Sequence, residues 1–171
     1  LSDFFRTTLS KGQDFITVQE EELHIQSYLE IQQFRYQDIL DYEIQMDEEI
    51  YGYIIPKLTL QPLVENALYH GIKNKRGKGK ILITGKKQGD KIIFQVIDNG
   101  KGMTEEELNS LRKKIAGTDT GDEAKGFGVS NVNQRIKYYY GEEYGVFFES
   151  KENEGTNATI IIAAKNIQLP S

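Results

Sequence analysis

The chain has 171 residues, of which 38% are hydrophobic and 27% are charged, as expected for one globular domain with a substantial core. Its net charge of -5 argues against non-specific binding to DNA or RNA, which requires clustered positive charge. It contains no cysteine, which excludes a disulfide framework and a thiolate metal site, and no apolar run approaches the roughly 18 residues that span a bilayer. We therefore expect a cytoplasmic domain that makes no contact of its own with nucleic acid or membrane.

Two helices are expected at the N-terminus. Residues 1–10 could form a short helix, and Thr17 with Glu20 forms a capping box for a long helix that ends near Tyr36. The long helix carries two apolar stripes at helical spacing, one of Val18, Ile25, Leu29 and Tyr36 and another of Leu23, Ile31 and Phe34. One stripe is expected to pack on the sheet of this domain. The other is either buried in the same domain or packs on a neighbouring chain or a further segment.

The middle of the chain predicts three strands and a helix. Alternating residues indicate strands at 38–46, 80–86 and 91–98, and the turn at 88–90 joins the last two. Residues 58–72 are expected to form a helix with a buried stripe of Leu60, Val64, Ala67 and Gly71.

The C-terminal part predicts two helices and two strands. Thr104 and Glu107 form a second capping box, so a helix begins directly after DNGKGM at 98–103. The polar, glycine-rich segment 116–126 is expected to be a mobile loop. A helix at 128–140 and strands at 145–151 and 156–164 follow. The order of elements predicts an α+β two-layer sandwich, with a sheet dominated by hairpins and helices on one face.

Asp98 is the first candidate site residue. It shares the parity of Ile92, Phe94 and Val96 on its strand, and a carboxylate on the core face is costly unless it is paired. At the end of the strand it could accept a hydrogen bond from an exocyclic amine such as adenine N6. The alternative is that Asp98 and Asn99 only form a turn, because DNG is common turn chemistry.

The residues after Asp98 suit a flat ring. Gly100 and Gly102 lack a Cβ, which allows close approach of the backbone, and Met103 offers a polarizable apolar wall. Thr156 is a second candidate, because it shares the inward parity of Ala158, Ile160 and Ile162 at a strand end. Its hydroxyl could reach a water bound to a base.

The helix at 58–72 carries polar residues beside its apolar stripe. Pro62, Asn66 and His70 are spaced at i, i+4 and i+8 and are expected on one side. The side-chain oxygen of Asn66 suits Mg²⁺, which takes few protein ligands together with phosphates and water. His70 could donate to a phosphate, or it could be a boundary histidine with a local hydrogen bond.

Gly126 and Gly128 in GFGVSNV at 126–132 precede a predicted helix, whose first N–H groups can receive phosphate oxygens. The segment is not a dinucleotide fingerprint, because GxGxxG and a parallel βαβ unit are both missing. It is not a Walker A loop either, because GxxxxGK[ST] is absent.

Four segments together resemble the ATP-binding domain shared by gyrase, Hsp90, MutL and sensor histidine kinases, known as the Bergerat fold. They are LVENALYHG at 63–71, DNGKGM at 98–103, GFGVSNV at 126–132 and EGTNATI at 154–160, in the order of that superfamily's N, G1, G2 and Gly-Thr boxes. The chain is most similar to the LytS/YesM-type sensor histidine kinases, since the segments at 55–72 and 21–36 resemble stretches characteristic of that group. The resemblance covers nearly the whole chain.

The resemblance implies a role for each matched residue. Asp98 would bind adenine N6, Asn66 would coordinate Mg²⁺, and Thr156 would support the adenine contact. The other matched positions would shape the ATP pocket and its lid, which would lie within 104–127: Gly100, Gly102, Met103, Gly126, Phe127, Gly128 and Val129. The implied reaction transfers the γ-phosphoryl group of ATP to a histidine, and then to an aspartate of a response regulator receiver domain.

The chain departs from the ATP-hydrolysing members of the superfamily at one position. Those members carry a Glu four residues before the matched Asn, where this chain has Pro62. Hydrolysis is therefore not expected as the main activity, whereas a kinase needs no water activator because a histidine imidazole is its nucleophile. Glu65 lies about 100° around the helix from Asn66 and is expected to polarise that imidazole, while His70 is expected near the phosphates.

The acceptor histidine is expected outside this chain. Residues 1–36 would continue from an upstream dimerisation and phosphoacceptor region, and residues 37–171 would form the catalytic domain. His24 is interpreted as a surface histidine. The whole protein would then be a homodimeric, membrane-anchored bacterial sensor. The alternatives are an ATPase of the same fold, a Ser/Thr anti-sigma kinase, and a nucleotide-sensing module without catalysis.

Overall fold

The computed structural model describes residues 14–37, 39–73, 77–117 and 127–167, without the side chain of Phe127. The helix expected at 1–10 and most of the loop expected at 116–126 lie outside these residues. The elements in chain order are β1 (Phe15–Thr17), α1 (Val18–Arg35), β2 (Leu40–Met46), β3 (Ile54–Pro56), α2 (Gln61–Asn66) with a π-helical continuation (Ala67–Ile72), β4 (Gly79–Gln88), β5 (Lys91–Asp98), α3 (Glu105–Ile115), α4 (Phe127–Tyr140), β6 (Gly145–Lys151) and β7 (Gly155–Ala163).

A five-stranded sheet in the order β2-β4-β5-β7-β6 forms the centre of the fold. The β2–β4 pair is parallel, and the other three pairs are antiparallel. Burial alternates along β5: Ile92, Phe94 and Val96 are buried, whereas the residues between them are partly exposed. The helices cover the buried face, so the predicted two-layer sandwich is confirmed. A separate two-stranded pair of β1 and β3 was not predicted, because three residues are too few to show an alternating pattern.

Both predicted capping boxes are present. The Glu20 amide donates to Thr17 Oγ1 at 3.1 Å, and the Glu107 amide donates to Thr104 Oγ1 at 3.1 Å. Three residues of the first stripe, Val18, Ile25 and Leu29, are buried in the same core as the sheet, and the partly buried Tyr36 packs against that core. The second stripe is exposed, with Leu23, Ile31 and Phe34 at 55%, 66% and 80%.

The helix expected at 58–72 differs from its prediction in two ways. It begins at Gln61, because the preceding residues form a turn in which Leu58 has the left-handed φ of 61°. Its second half is a π-helix, ending in a hydrogen bond from the Lys73 amide to the Leu68 carbonyl at 2.8 Å. Such wider turns rotate the following side chains relative to an α-helix and are frequent at functional sites.

The turn before α2 is held from two sides by buried or partly buried charges. The Leu60 amide donates to Glu21 Oε2 of α1 at 2.8 Å. From α4, Arg135 donates to the carbonyls of Lys57 and Leu58 at 2.7 and 3.0 Å. The turn therefore fixes the start of α2 relative to both α1 and α4.

Candidate active site

A cavity of about 440 Å³ opens between α2, the end of β5 and α3. It contains residues from all three elements and from β7. Six residues predicted from the sequence line it: Asn66, His70, Asp98, Gly102, Met103 and Thr156. Residues that are up to 90 positions apart in the sequence are thus brought to one concave surface, as expected for a small-molecule site.

Asp98 lies at the bottom of this cavity. Its side chain is 5% exposed, and its Oδ1 accepts a hydrogen bond from the Gly100 amide at 2.8 Å. The carboxylate packs directly on Gly71 of the π-helix, where an added Cβ would lie 2.6 Å from Oδ1. The predicted inward orientation is confirmed, and the absence of a side chain at Gly71 is what leaves room for the carboxylate.

Thr156 lies directly opposite Asp98 in the β5–β7 pairing. Its Oγ1 is 2.9 Å from the Oγ of Ser150, its other neighbour across the β6–β7 pairing. Ser150 also accepts from the Met103 amide at 2.9 Å and donates to the Gly155 carbonyl at 2.8 Å. We call Asp98, Met103 and Thr156 the floor of the cavity. Ser150 supports two of its three members and was not predicted.

Two predicted glycines pack on the protein's own backbone. An added Cβ on Gly100 would overlap the backbone of Gly71, and one on Gly102, which has φ of 68°, would overlap the Lys151 carbonyl. Glycine is therefore required at both positions for folding of this corner. Their contribution to approaching a nucleotide ring stays a prediction.

Asn66 and His70 line the opposite side of the cavity, which we call the rim. Asn66 is partly buried and His70 is exposed. Pro62 was expected on the same side but does not line the cavity; its Cβ faces Gly128 of α4, where an added Cβ would lie 3.4 Å away. Pro62 lies one regular α-helical turn before Asn66, at the start of the helix, where it lies beside α4 instead of the cavity.

Seven further residues line the cavity but were not predicted as site residues from the sequence: Gly71, Lys101, Glu106, Glu107, Ser110, Leu111 and Lys114. Five of them belong to α3 and repeat at helical spacing, so the capping box at Thr104 was a signal from which this face could have been derived. Lys101 and Lys114 add positive charge to a cavity that also contains three carboxylates. Lysine ammonium groups suit phosphate oxygens as point charges.

Several predicted site residues lie elsewhere or outside the described residues. Glu65 does not line the cavity, and its Oε1 accepts from Gln61 Nε2 at 3.3 Å. Gly128 and Val129 lie within the first turn of α4, not before it, and Val129 belongs to the core. Gly126 and the side chain of Phe127 are outside the described residues.

Glu65 faces a tyrosine pair outside the cavity. Burial, followed by the neighbouring Tyr69 side chain and the nearby Glu65 carboxylate, raises the pKa of Tyr28. The carboxylate of Glu65 is therefore close to the Tyr28 side of α1.

His24 is half-buried instead of lying freely on the surface. Burial lowers its pKa, and its Nδ1 is buried with no hydrogen-bond partner among the described residues. This environment favours the neutral imidazole.

The cavity offers few side chains for a metal ion, so a metal would bind there together with the phosphates of a nucleotide. Within the described part of the chain, no three His, Asp or Glu side chains form a cluster able to hold a metal ion. The Asn66 amide on the rim fits Mg²⁺, which binds proteins through few oxygen ligands and completes its shell with phosphates and water.

None of the helices that the structure describes combines the length and apolar character needed to cross a bilayer.

Comparison with protein families gives two matches. The model described as histidine kinase-, DNA gyrase B- and HSP90-like ATPase matches residues 56–166. The model described as histidine kinase matches residues 1–40. The first match contains every residue of the floor and the rim.

Individual proteins agree with the family matches. The chain is 34% identical to the sensor histidine kinase YesM of Bacillus subtilis (strain 168), over 97% of this chain and 27% of that protein. It is 32% identical to the sensor protein LytS of Bacillus anthracis, over 96% of this chain and 28% of that protein. The chain thus spans little more than a quarter of the length of these relatives.

Solved structures support the fold. The catalytic domain of the histidine kinase ThkA matches with a TM-score of 0.65 at 19% identity, over 88% of this chain and 95% of that one. The structure of ThkA in complex with the response regulator protein TrrA matches with a TM-score of 0.64 at 19% identity, over 88% of this chain and 41% of that one.

Proposed function

Because this chain belongs to the family of histidine kinase-, DNA gyrase B- and HSP90-like ATPases, we propose that it is the ATP-binding catalytic domain of a sensor histidine kinase. In this proposal it transfers the γ-phosphoryl group of ATP to a histidine outside the chain. The observation that carries the proposal is the single cavity that brings the buried Asp98 together with Thr156 and Asn66.

The floor would read the adenine. Asp98 is a buried carboxylate on the cavity wall whose Oδ1 accepts the Gly100 amide, and its oxygens can accept a hydrogen bond from a base amine. Thr156 lies beside it in the sheet, and Met103 provides an apolar wall. Asp98 and Thr156 are fixed by strands before any ligand arrives, which lowers the entropic cost of binding.

The rim would hold the phosphates. Asn66 would coordinate Mg²⁺, and His70, Lys101 and Lys114 are the cavity residues able to donate to phosphate oxygens. When bound, Mg²⁺ supplies charge neutralisation at the phosphates. The backbone N–H groups at the start of α4, from Phe127 to Val129, would add lid contacts to the same phosphates.

Transfer to the incoming imidazole breaks the bond between the γ-phosphorus and its bridging oxygen and forms a bond from phosphorus to a ring nitrogen, with ADP as the leaving group. Glu65, which lies outside the cavity wall, would accept the N–H of the other ring nitrogen. Pro62 cannot replace the water-activating Glu of the ATPases, and it faces Gly128 instead of the cavity.

Two further assignments come from the relatives. The ThkA structure contains a response regulator, and we propose a receiver domain as the partner of this kinase. We also propose that the full-length protein is a homodimer anchored in a bacterial membrane, with this chain on the cytoplasmic side.

Incubation with labelled ATP tests the proposal. The chain alone should remain unlabelled, and a separately supplied acceptor helix from the full-length protein should gain acid-labile label. Transfer should be slow, because an untethered acceptor has a low effective concentration. The control is the same acceptor with its histidine replaced by glutamine, which should stay unlabelled.

Other outcomes would contradict the proposal. Label on the chain alone that disappears in His24→Gln would move the acceptor to α1. Release of phosphate without labelled protein would indicate an ATPase, and ATP binding with neither product would indicate a nucleotide-sensing module.

A further inference from the structure

We propose that Ser150 is a positioning residue that fixes the Thr156 hydroxyl as a hydrogen-bond acceptor toward the cavity. The floor then presents only acceptors and selects a base edge that carries an exocyclic amine. This inference rests on the proposed function, because it concerns how the same cavity chooses among purine nucleotides.

The residues involved form one row across three strands. Ser150 of β6 pairs with Thr156 of β7, and Thr156 pairs with Asp98 of β5. Side chains of directly paired residues point to the same face of a sheet, with Cβ atoms about 4.5–5.5 Å apart. The three polar side chains are therefore neighbours on the face that carries the floor.

Two of the three hydrogen-bonding positions of the Ser150 hydroxyl are used by backbone groups. A serine hydroxyl has one hydrogen to donate and two lone pairs. The hydrogen goes to the Gly155 carbonyl at 2.8 Å, since a carbonyl can only accept, and one lone pair accepts the Met103 amide at 2.9 Å. Only a lone pair is left for Thr156.

The direction of the remaining bond follows by elimination. In the 2.9 Å contact between the two hydroxyls, Thr156 must be the donor and Ser150 the acceptor. The single hydrogen of Thr156 is then directed away from the cavity, and its lone pairs are left for a ligand. A threonine that could rotate freely would offer either a donor or an acceptor.

The neighbouring Asp98 strengthens the selection. The Asp98 carboxylate accepts the Gly100 amide at 2.8 Å, so the two adjacent polar groups of the floor both act as hydrogen-bond acceptors. An amine nitrogen carries two hydrogens and can satisfy both, directly or through a donating water. A purine with hydrogen or oxygen at the corresponding carbon has no hydrogen to donate to either acceptor and loses both hydrogen bonds.

The test compares two nucleotides in two variants. ATP and purine riboside triphosphate differ only in the exocyclic amine, and their affinities are measured by calorimetric titration of the full chain. The wild type should prefer ATP. Ser150→Ala and Thr156→Val should each reduce that preference by roughly three- to tenfold, the range for one net hydrogen bond.

The ratio of affinities separates positioning from a structural role. If Ser150 only held the Met103 backbone, Ser150→Ala would weaken both nucleotides equally and leave the ratio unchanged, which would overturn the inference. Ser150→Thr keeps the hydroxyl and should restore the wild-type ratio. Thr156→Val keeps shape and strand propensity, so it tests the same bond even if Ser150→Ala does not fold.

The wild-type preference for ATP distinguishes failure of the proposed function from failure of the Ser150 inference alone. A wild type without preference for ATP over purine riboside triphosphate would overturn both the base assignment and this inference. A wild type with the preference, together with variants that keep it, would overturn the role of Ser150 alone.

Discussion

The floor and the rim of the cavity are built in different ways. The floor is part of the sheet: Asp98, Thr156 and the supporting Ser150 come from three adjacent strands and are joined by hydrogen bonds. The rim, Asn66 and His70, lies on α2 and its π-helical continuation, where the side chains are more exposed.

The floor and the rim are also held in place by different interactions. Each floor strand is held by a ladder of backbone hydrogen bonds on both sides except at the edge strand β6. The rim depends on a turn clamped by Glu21 and Arg135, which belong to helices on either side of it. We infer that the base-reading groups are fixed by the backbone hydrogen bonds of the sheet, whereas the phosphate-facing groups depend on two ionisable side chains, Glu21 and Arg135, that hold the turn before α2.

The largest effect on nucleotide binding is expected at the floor. Asp98→Asn should weaken ATP binding by at least about tenfold, or about 1.4 kcal/mol, because an amide in place of the carboxylate removes the charge and adds a donor. GTP should bind poorly to the wild type, because its O6 would face the carboxylate. Calorimetric titration measures both affinities.

Asp90→Asn is the matched control for this change. Asp90 lies at the other end of β5, in the exposed turn that follows β4, and neutralising it changes the net charge equally. Wild-type ATP affinity in Asp98→Asn, or an equal loss in Asp90→Asn, would contradict the adenine assignment.

Asp98 and Thr156 of the floor could be predicted because the side chains of a strand alternate between its two faces, and this alternation is visible in the sequence. Asp98 shares parity with three buried apolar residues of β5, and this places a carboxylate inside. Ser150 shares the parity of the buried Val146 and Phe148 on β6, but its hydrogen bonds to Met103, Gly155 and Thr156 could not be predicted from that pattern. A hydroxyl network depends on strand register, which a single sequence does not give.

A smaller effect is expected at the rim. Asn66→Ala should lower the affinity for ATP in the presence of Mg²⁺ by roughly threefold to tenfold, and leave the affinity without Mg²⁺ unchanged. The loss of an oxygen ligand removes the link between metal and protein. Titrations with and without Mg²⁺ give the factor by which Mg²⁺ raises the ATP affinity, and this factor is compared between Asn66→Ala and the wild type.

Asn109→Ala is the control for the rim. Asn109 is exposed on α3 and does not line the cavity, so its variant should keep the magnesium enhancement. If Asn66→Ala keeps that enhancement too, Asn66 is a structural amide and the metal binds elsewhere.

The geometry of the rim could be predicted only in part. The motif correctly placed Asn66 and His70 on one surface, whereas Pro62, one helical turn earlier, faces Gly128 of α4 instead of the cavity. The π-helix and the left-handed Leu58 have no periodic signature, and Glu21 was not recognised as buried because glutamate is rarely buried without a partner.

The smallest effect on nucleotide binding is expected from Glu21→Gln, which instead should change how stability depends on pH. Burial raises the pKa of Glu21 above its usual value of 4.5, although the amides of Leu60, Leu58 and Thr59 and the charge of Arg135 oppose that shift. Its Oε1 is buried without a hydrogen-bond partner among the described residues, which further favours the protonated acid.

The sign of the pH effect follows from proton binding. Above pH 4.5 the unfolded chain releases the Glu21 proton while the folded chain still keeps it, so the free energy of unfolding falls as pH rises through the folded pKa. Glutamine keeps a carbonyl for the Leu60 amide but does not titrate. Urea unfolding from pH 4 upward should therefore show wild-type stability declining relative to Glu21→Gln, by at most about 1.4 kcal/mol per pH unit. A difference that is constant or rises with pH would mean that Arg135 and the turn amides hold Glu21 ionised, and that the clamp on the rim is a charge pair at every pH.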